Sequence, residues 1–308
     1  MRDAFIARLF DLAKEDERIC LVTGDLGFGV LDKFAAALPK QYLNAGVAEQ
    51  NMTGLATGMA LDGRIVFTYS IANFPTLRCL EQLRNDAAYH DANVKVVSIG
   101  GGFSYGALGM SHHATEDLAI LRALPQITVT SPACLWEVER ITEALVDRPG
   151  TCYLRIDKSD AGRTGLPGEI FHFGKIRTLR QGADAAIFAT GGIVKVALQA
   201  AAGLAEKGHS VRVLSVHSIR PFDTDTVLDV CKDIAVVATL EEHVVEGGLG
   251  GLLAETCLEG GVVPRRFFRF GIRGEGAGIV GSQDYLRRRH GLDTESVVEK
   301  MSALIACA

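Results

Sequence analysis

The chain has 308 residues, of which 48 % are apolar and 22 % charged. This composition is typical of a folded protein with more than one domain and excludes a disordered or collagen-like chain. The formal net charge is −5, so no overall positive field favours nucleic acid or anionic lipid as a partner. The seven cysteines form no C-x-x-C pair, and no uncharged apolar run reaches about 18 residues. We therefore expect a cytoplasmic protein with reduced thiols and no membrane partner.

The first half of the chain alternates helices with short apolar strands. Apolar residues at positions 5, 6, 9, 12 and 13 predict an amino-terminal helix. Strands are predicted at 19–23, 65–68, 94–99, 127–130 and 152–156, with helices near 48–61, 75–90, 116–123 and 133–146. Fully apolar strands separated by helices are typical of a parallel sheet covered by helices on both faces.

The second half repeats this alternation after a break in the apolar pattern. Strands are predicted at 185–189, 210–216, 234–240 and 266–270, with helices at 193–207, near 224–231, at 247–259 and from 294 onward. The break contains turn residues and no long period, which is typical of a linker. We therefore predict an α/β protein of two parallel-sheet, three-layer domains, at residues 1–160 and 183–308, with a linker at 161–182.

The candidate ligand-binding turns are those that follow strands, because parallel α/β sheets bind ligands beyond the carboxyl ends of their strands. These turns lie at residues 24–29, 44–51, 100–113 and 241–248. In the second of them, Glu49 falls in the first turn of a helix rich in small and apolar residues. An isolated carboxylate there is explained by the helix dipole. The small neighbours also favour close approach of a flat ligand, with Glu49 sharing a proton.

Longer strings make a family resemblance specific. Residues 44–64, NAGVAEQNMTGLATGMALDGR, and residues 109–125, GMSHHATEDLAILRALP, resemble the pyrimidine-binding domain of transketolases. Residues 213–223, VLSVHSIRPFD, and 239–251, TLEEHVVEGGLGG, resemble the C-terminal domain of the same family. The family's Gly-Asp-Gly motif, which holds the metal and the diphosphate, is absent, because Gly24-Asp25 is followed by Leu26. The chain therefore resembles the C-terminal-half, small subunit of a split transketolase.

This resemblance implies a thiamine-diphosphate-dependent transferase of carbohydrate metabolism that moves a ketol unit between sugar phosphates. It implies activity only with an N-terminal-half subunit, which would hold the diphosphate and Mg²⁺, so that this chain has no metal site of its own. Self-association is also expected, and an α2β2 heterotetramer would follow. The Gly/Ala-rich helix after Glu49 offers a surface for such close approach.

The resemblance also implies individual residue roles. Glu49 would share a proton with the pyrimidine ring nitrogen, and His112 would hydrogen-bond the sugar near the reacting carbon. The residues expected to contact the cofactor are Asp25, Leu26, Glu49, Tyr69, Ile71 and Phe74. Those expected to bind substrate are His112, His113 and Arg155, the last through a sugar phosphate, with Arg2 as a second candidate arginine.

The sequence departs from the family pattern at three places. Ile71 stands where the family has a stacking Phe, so an aliphatic wall or a nearby aromatic, Tyr69 or Phe74, is expected to cover the pyrimidine. Leu108 replaces an Asp that contacts the sugar, and the run Gly100–Gly102 occupies the region of a sugar-binding His. The loss of two polar contacts predicts a different or less hydroxylated sugar.

Other functions stay open at this point. The chain could be half of a decarboxylating enzyme similar to deoxyxylulose-phosphate synthase or a 2-oxoacid dehydrogenase, or a non-catalytic scaffolding subunit. A metal site at His112, His113 and Glu116 is less favoured, because two His ligands rarely suffice. The G-x-G-x-x-G pattern at 276–281 is followed by too few residues for a dinucleotide-binding unit. Residues 287–290 are typical of a basic helix C-terminus.

Overall fold

The computed structural model describes residues 1–274 and 278–307. Gly276 and Ala277 of the G-x-G-x-x-G pattern lie outside the described residues. The chain forms one sheet of seven strands and one of five, both mostly parallel, which confirms the predicted α/β class. Within the described ranges, no helix has the length and hydropathy needed to cross a bilayer.

The first sheet is built mainly from the first half of the chain. Its strands are β1 (Ile19–Thr23), β2 (Tyr42–Asn44), β3 (Ile65–Ile71), β4 (Val94–Ile99), β5 (Thr128–Thr130), β6 (Cys152–Ile156) and β10 (Ser218–Arg220). The helices of this half are α1 (Arg2–Glu15), α2 (Asp32–Ala37), α3 (Glu49–Leu61), the short α4 (Leu80–Gln82), α5 (Asp117–Ala123) and α6 (Leu135–Asp147). The strand order is β10-β5-β6-β4-β3-β1-β2, and only the β10–β5 pair is antiparallel.

Helices cover both faces of this sheet. Successive strand residues point to opposite faces, and apolar residues on each face pack against a different set of helices. Leu21 of β1 belongs to the same apolar cluster as Leu9 of α1 and Ile141 of α6. The next residue, Val22, belongs to a cluster with Met52 of α3. Residues of β1 are buried on both faces, which explains why the strand is apolar throughout.

The second sheet has the strand order β12-β11-β8-β9-β7, with only β7–β9 antiparallel. Its strands are β7 (Arg177–Arg180), β8 (Ala185–Ala189), β9 (Val211–Ser215), β11 (Val236–Val244) and β12 (Arg266–Ile272). The helices are α7 (Val194–Glu206), α8 (Thr224–Asp233), α9 (Leu249–Glu259), α10 (Gln283–Arg289) and α11 (Thr294–Ala306). One apolar cluster contains Phe188 of β8, Leu249 of α9 and Val94 of β4, so the two sheets share part of their core.

Each predicted strand is present. The differences are the unpredicted edge strands β2, β7 and β10, the unpredicted short helix α2, and one predicted helix that is divided. Strand β7 falls inside the expected linker, and β10 pairs with the first sheet although it comes from the second half. Both are short edge strands that contain arginine, so neither has the apolar run by which buried strands are predicted. The expected helix at 75–90 is divided into short turns and ends in a π-helical stretch, Leu83–Ala88.

A buried carboxylate joins the second half of the chain to the loop after β4. Glu242 of β11 accepts hydrogen bonds from Arg287 Nε of α10 and, at 2.5 Å, from the backbone N–H of Phe103. Gln283 Nε2 donates to the same carboxylate at 2.9 Å, and Arg287 Nη2 donates to Ser159 Oγ at 2.8 Å. The carboxylate of Glu242 therefore fixes one end of the loop that follows β4.

Substitution of Glu242→Gln should destabilise the protein strongly. The change leaves the buried Arg287 guanidinium without its counter-ion, and removal of one partner from a buried pair costs about 3 kcal/mol or more. Urea denaturation should show the lower free energy of unfolding. The matched control, Glu255→Gln, removes one carboxylate from the more exposed pair with Arg122 and should change the midpoint little. Equal midpoints for both variants would contradict this prediction.

Candidate active site

Four loops meet at one edge of the first sheet. They follow β1, β2, β3 and β4, which are neighbours in the order β4-β3-β1-β2. Because these strands are parallel, their carboxyl ends lie at the same edge. Three of the four turns singled out in the sequence, at 24–29, 44–51 and 100–113, are among these loops, and the fourth loop, after β3, carries Phe74.

Glu49, the first residue of α3, is 2 % exposed. Its Oε2 accepts a hydrogen bond from Arg78 Nη1 at 2.7 Å. A Cβ atom on Gly24, which follows β1, would lie 3.5 Å from Glu49 Cγ. Gly24 therefore lies beside the Glu49 side chain, at ordinary van der Waals distance, and Arg78 is the charged partner of the carboxyl group.

Arg78 was not among the predicted site residues. It lies 29 positions after Glu49, in the first short turn of the divided helix, and no spacing pattern links the two. Its side chain is 46 % exposed. The guanidinium also lies 4.4 Å from the centroid of the Phe74 ring, a cation–π distance.

Phe74 connects Glu49 to His112 through Arg78. The Phe74 and His112 rings are 5.1 Å apart and meet edge to face. Glu49, Arg78, Phe74 and His112 thus form a continuous row along the edge of the sheet. Three of these four residues were predicted from the family resemblance, and the structure brings them together.

The neighbouring aromatic and aliphatic candidates differ in exposure. Tyr69 is buried, and this burial raises the pKa of its phenol to about 12. Ile71, at the end of β3, and Phe74 are both half-buried. Of the two aromatic candidates for covering a flat ring, Phe74 is therefore the accessible one.

Asp25 and Leu26 lie in the loop after β1. Asp25 has a left-handed backbone, with φ of 58°. Its backbone N–H donates to Asn44 Oδ1 at 3.0 Å, and Asn44 Nδ2 donates to Asp25 Oδ1 at 2.9 Å. Leu26 is half-buried, and its carbonyl accepts from Thr23 Oγ1 at 3.0 Å. These contacts tie the loop after β1 to the loop that precedes Glu49.

The glycine run after β4 makes room for an aromatic ring. Gly100 has φ of 99°, and a Cβ atom there would clash with the Tyr105 ring. The Tyr105 ring is 6.1 Å from the His112 ring and lies 3.5 Å from Lys158 Nζ. Leu108, expected to replace a polar sugar contact, is largely exposed.

Arg155 and His113 are buried and already paired. Arg155 is 1 % exposed, lies 3.3 Å from Asp117, and donates from Nη2 to the carbonyls of Ala114 at 3.1 Å and Glu242 at 2.9 Å. His113 Nε2 lies 3.0 Å from the carbonyl oxygen of Gly106. Both side chains are therefore held by neighbours on this chain, while Arg155 Nη1 has no hydrogen-bond partner among the described residues.

A cavity of about 290 Å³ lies beside this row of residues, and Asp3 and Asp157 line it together with basic residues. Arg2, Lys158 and Tyr105 are among the residues that line it. Burial and the charge of Arg2 lower the pKa of Lys158. Lys158 was not among the predicted site residues. Its position could have indicated a ligand contact, because it lies two residues beyond the end of β6, and parallel sheets bind ligands beyond the carboxyl ends of their strands. Arg155, in contrast, lies within the strand.

The described residues contain no cluster of three His, Cys, Asp or Glu side chains that could hold a metal ion. His112 instead places one ring nitrogen 3.0 Å from Ser111 Oγ. Partial burial, and to a smaller extent His113, lower the pKa of His112. The imidazole is therefore neutral at pH 7, and a neutral imidazole both donates and accepts a hydrogen bond.

Two family models match the chain in order. "Transketolase, pyrimidine binding domain" matches residues 1–163, and "Transketolase, C-terminal domain" matches residues 174–297. The chain therefore belongs to the transketolase family, whose members depend on thiamine diphosphate. It corresponds to the half of a transketolase that contains these two domains.

Individual relatives agree with this assignment. The chain is 37 % identical to an apulose-4-phosphate transketolase subunit of Phocaeicola vulgatus, over 96 % of this chain and 94 % of the relative. It is 35 % identical to the 6-deoxy-6-sulfo-D-fructose transketolase subunit of a Clostridium species, over 97 % and 92 %. A solved split-gene transketolase, described as an inactive β4 tetramer, superposes with a TM-score of 0.87 at 30 % identity, over 99 % and 97 %. These similarities support a subunit of a transferase-type enzyme.

We expect His112 to titrate below the usual histidine value of about 6.5. Burial disfavours the charged ring in the folded chain. The contribution of His112 to the free energy of unfolding is therefore present above pH 6.5 and decreases as the pH falls below that value. NMR titration of the His112 ring protons should give the midpoint, assigned by the loss of the signal in His112→Gln. The same ring in the urea-unfolded chain is the control. A folded midpoint at or above the unfolded one would refute the prediction.

Proposed function

We propose that this chain is the subunit of a split transketolase that supplies the pyrimidine side of the thiamine diphosphate site. The observation that carries the proposal is the buried Glu49 carboxylate at the start of the row Glu49–Arg78–Phe74–His112. A buried carboxyl next to a half-buried aromatic ring fits a flat, nitrogen-containing heterocycle. When bound, thiamine diphosphate supplies the carbon nucleophile that a ketol transfer requires.

Glu49 is proposed to hold a proton at its carboxyl group and to share it with a nitrogen of the bound ring. Its burial excludes bulk water, so a hydrogen bond to a ring nitrogen is not in competition with solvent. Arg78 Nη1 donates a hydrogen bond to Glu49 Oε2 at 2.7 Å. The same guanidinium lies against the Phe74 ring. We propose that His112, which is neutral at pH 7, donates a hydrogen bond to the sugar oxygen at the reacting carbon.

The other half of the site is proposed to come from a partner subunit that holds the diphosphate and Mg²⁺. Large apolar side chains flank the predicted cofactor contacts on this chain and are exposed: Phe28 after Leu26, Val47 before Glu49, and Met110 before His112. The exposure of these apolar groups at the edge that carries Glu49 and His112 supports an interaction surface there. An α2β2 heterotetramer in the cytoplasm, with domain boundaries at 160 and 183, completes the proposal.

The substrate is proposed to be a ketose with an anionic group at its far end. Arg2 and Lys158 line one cavity, and Tyr105 at its wall lies against His112. Such cations bind phosphate and sulfonate oxygens by charge-assisted hydrogen bonds. The names of two relatives contain a phosphorylated and a sulfonated sugar, which supports this class. The exposed Leu108 and the glycine run favour a sugar with fewer hydroxyl contacts.

A decarboxylating donor is the second candidate. The chain is 30 % identical to 1-deoxy-D-xylulose-5-phosphate synthase of Thermomicrobium roseum, over 99 % of this chain but 48 % of that protein. Assays of the reconstituted complex with ketose phosphates and with pyruvate separate the two candidates. Turnover of pyruvate without turnover of ketose phosphates would overturn the transketolase proposal.

Glu49→Gln should abolish activity in the complex with the partner subunit. Glutamine keeps the size of the side chain but cannot exchange a carboxyl proton, and loss of such a group costs about 10²-fold to 10⁴-fold in rate. Steady-state assays should show this loss in kcat. The control is Glu17→Gln, an exposed residue before the amino end of β1. Full activity of Glu49→Gln would support a scaffolding subunit instead, with the chemistry carried by the partner.

Lys158→Gln should raise the KM for a phosphorylated ketose at least about tenfold, since a hydrogen bond to a charged group contributes about 1.5 to 3 kcal/mol. The KM for the same ketose without phosphate should not change, because the lysine contacts only the anionic group. Lys207→Gln removes an exposed lysine from the end of α7 and serves as the control. An equal rise for both substrates would mean that Lys158 does not recognise the phosphate.

A further inference from the structure

A cationic cavity lies in the second half of the chain, away from the row that contains Glu49. Its volume is about 350 Å³, and it lies between β12 and the segments around α10 and α11. Four cationic residues line it: Arg269, Arg273, Arg289 and Lys300. We call this cavity the basic cleft. Four positive charges in one cavity contrast with the net charge of −5 for the whole chain.

The basic cleft lacks acidic residues among the described residues that line it. Arg269 Nη1 donates to the carbonyl of Val245 at 2.9 Å, and Arg273 Nη2 donates to the carbonyl of Arg269 at 3.0 Å. The ammonium group of Lys300 lies 4.7 Å from the Phe268 ring. Backbone carbonyls and an aromatic ring orient these cations without neutralising their charge, so their electrostatic attraction remains available to a ligand.

The nearby carboxylate of Asp293 is already used by the fold. It caps α11 by accepting from the backbone N–H of Ser296 at 3.2 Å and from its hydroxyl at 2.7 Å. Ser296 lines the cleft, so the amino-terminal end of α11, which carries a partial positive charge, also lies at this cavity. The four side chains and the helix end together give the cleft a positive potential.

We propose that the basic cleft binds a small polyanion, namely an inorganic or ester-linked diphosphate. Arginine and lysine bind the oxygens of phosphates by charge-assisted hydrogen bonds, and arginine does so with two parallel donors. A diphosphate carries enough charge to engage several of the four cations at once, and the cavity volume can enclose it. This site is separate from the cavity lined by Arg2 and Lys158, and only the arm of its test that uses the partner subunit rests on the proposed function.

The test is isothermal titration of the chain, alone and in complex with its partner subunit, with inorganic pyrophosphate at low salt and without Mg²⁺. The double variant Arg273→Gln/Arg289→Gln removes two exposed cations of the cleft and should weaken binding roughly 30-fold or more. His290 also lines the cleft, but it is left unchanged because its ring stacks on Phe103, in the loop after β4 that belongs to the candidate active site. Adenosine diphosphate, titrated in parallel, tests whether an ester-linked diphosphate binds at the same residues.

The matched control is Arg265→Gln/Arg288→Gln, which removes the same charge from exposed positions that do not line the cleft. Lys300→Gln, a single substitution on α11, supplies a second cleft variant and should also weaken binding. Unchanged affinity in the cleft variants, an equal loss in the control, or a loss confined to Lys158→Gln would overturn the proposal. So would binding that disappears in the complex, since the cleft would then be a subunit interface.

Discussion

The candidate site depends on one buried carboxylate and its partner. Glu49 is held at the first turn of α3, next to the small residue Gly24, and its charge is paired with Arg78. A buried carboxylate without a counter-ion is costly, so the position of Arg78 is what makes this arrangement possible. Because Arg78 also lies against Phe74, the same contact places an aromatic ring between the carboxylate and His112.

The second half of the chain contributes to this site without supplying the residues of the row. Glu242 of β11 accepts from the backbone of Phe103 and from Arg287, and Arg155 donates to the carbonyl of Glu242. The loop after β4, which begins with the glycine run and ends with His112, is therefore fixed by buried contacts from both sheets. The C-terminal half is thus part of the scaffold that positions the loop.

The exposed side of the row explains why a partner is proposed. Phe28, Val47 and Met110 are exposed around the edge that carries Glu49 and His112. Two relatives that match over nearly their whole length are named as subunits, whereas the deoxyxylulose-phosphate synthase is about twice as long as the matched region. Both observations are consistent with a site that is completed by another chain.

The sequence by itself determined the α/β class, the buried strands and the family, because apolar periodicity and contiguous motifs are local properties of the chain. It also singled out Glu49, Phe74 and His112 through the resemblance to that family. Only the tertiary structure decided that Arg78 pairs with Glu49 and that Lys158, not the buried Arg155, lines a cavity. Side-chain burial and pairing depend on residues distant in sequence, and the edge strands β7 and β10 form for the same non-local reason.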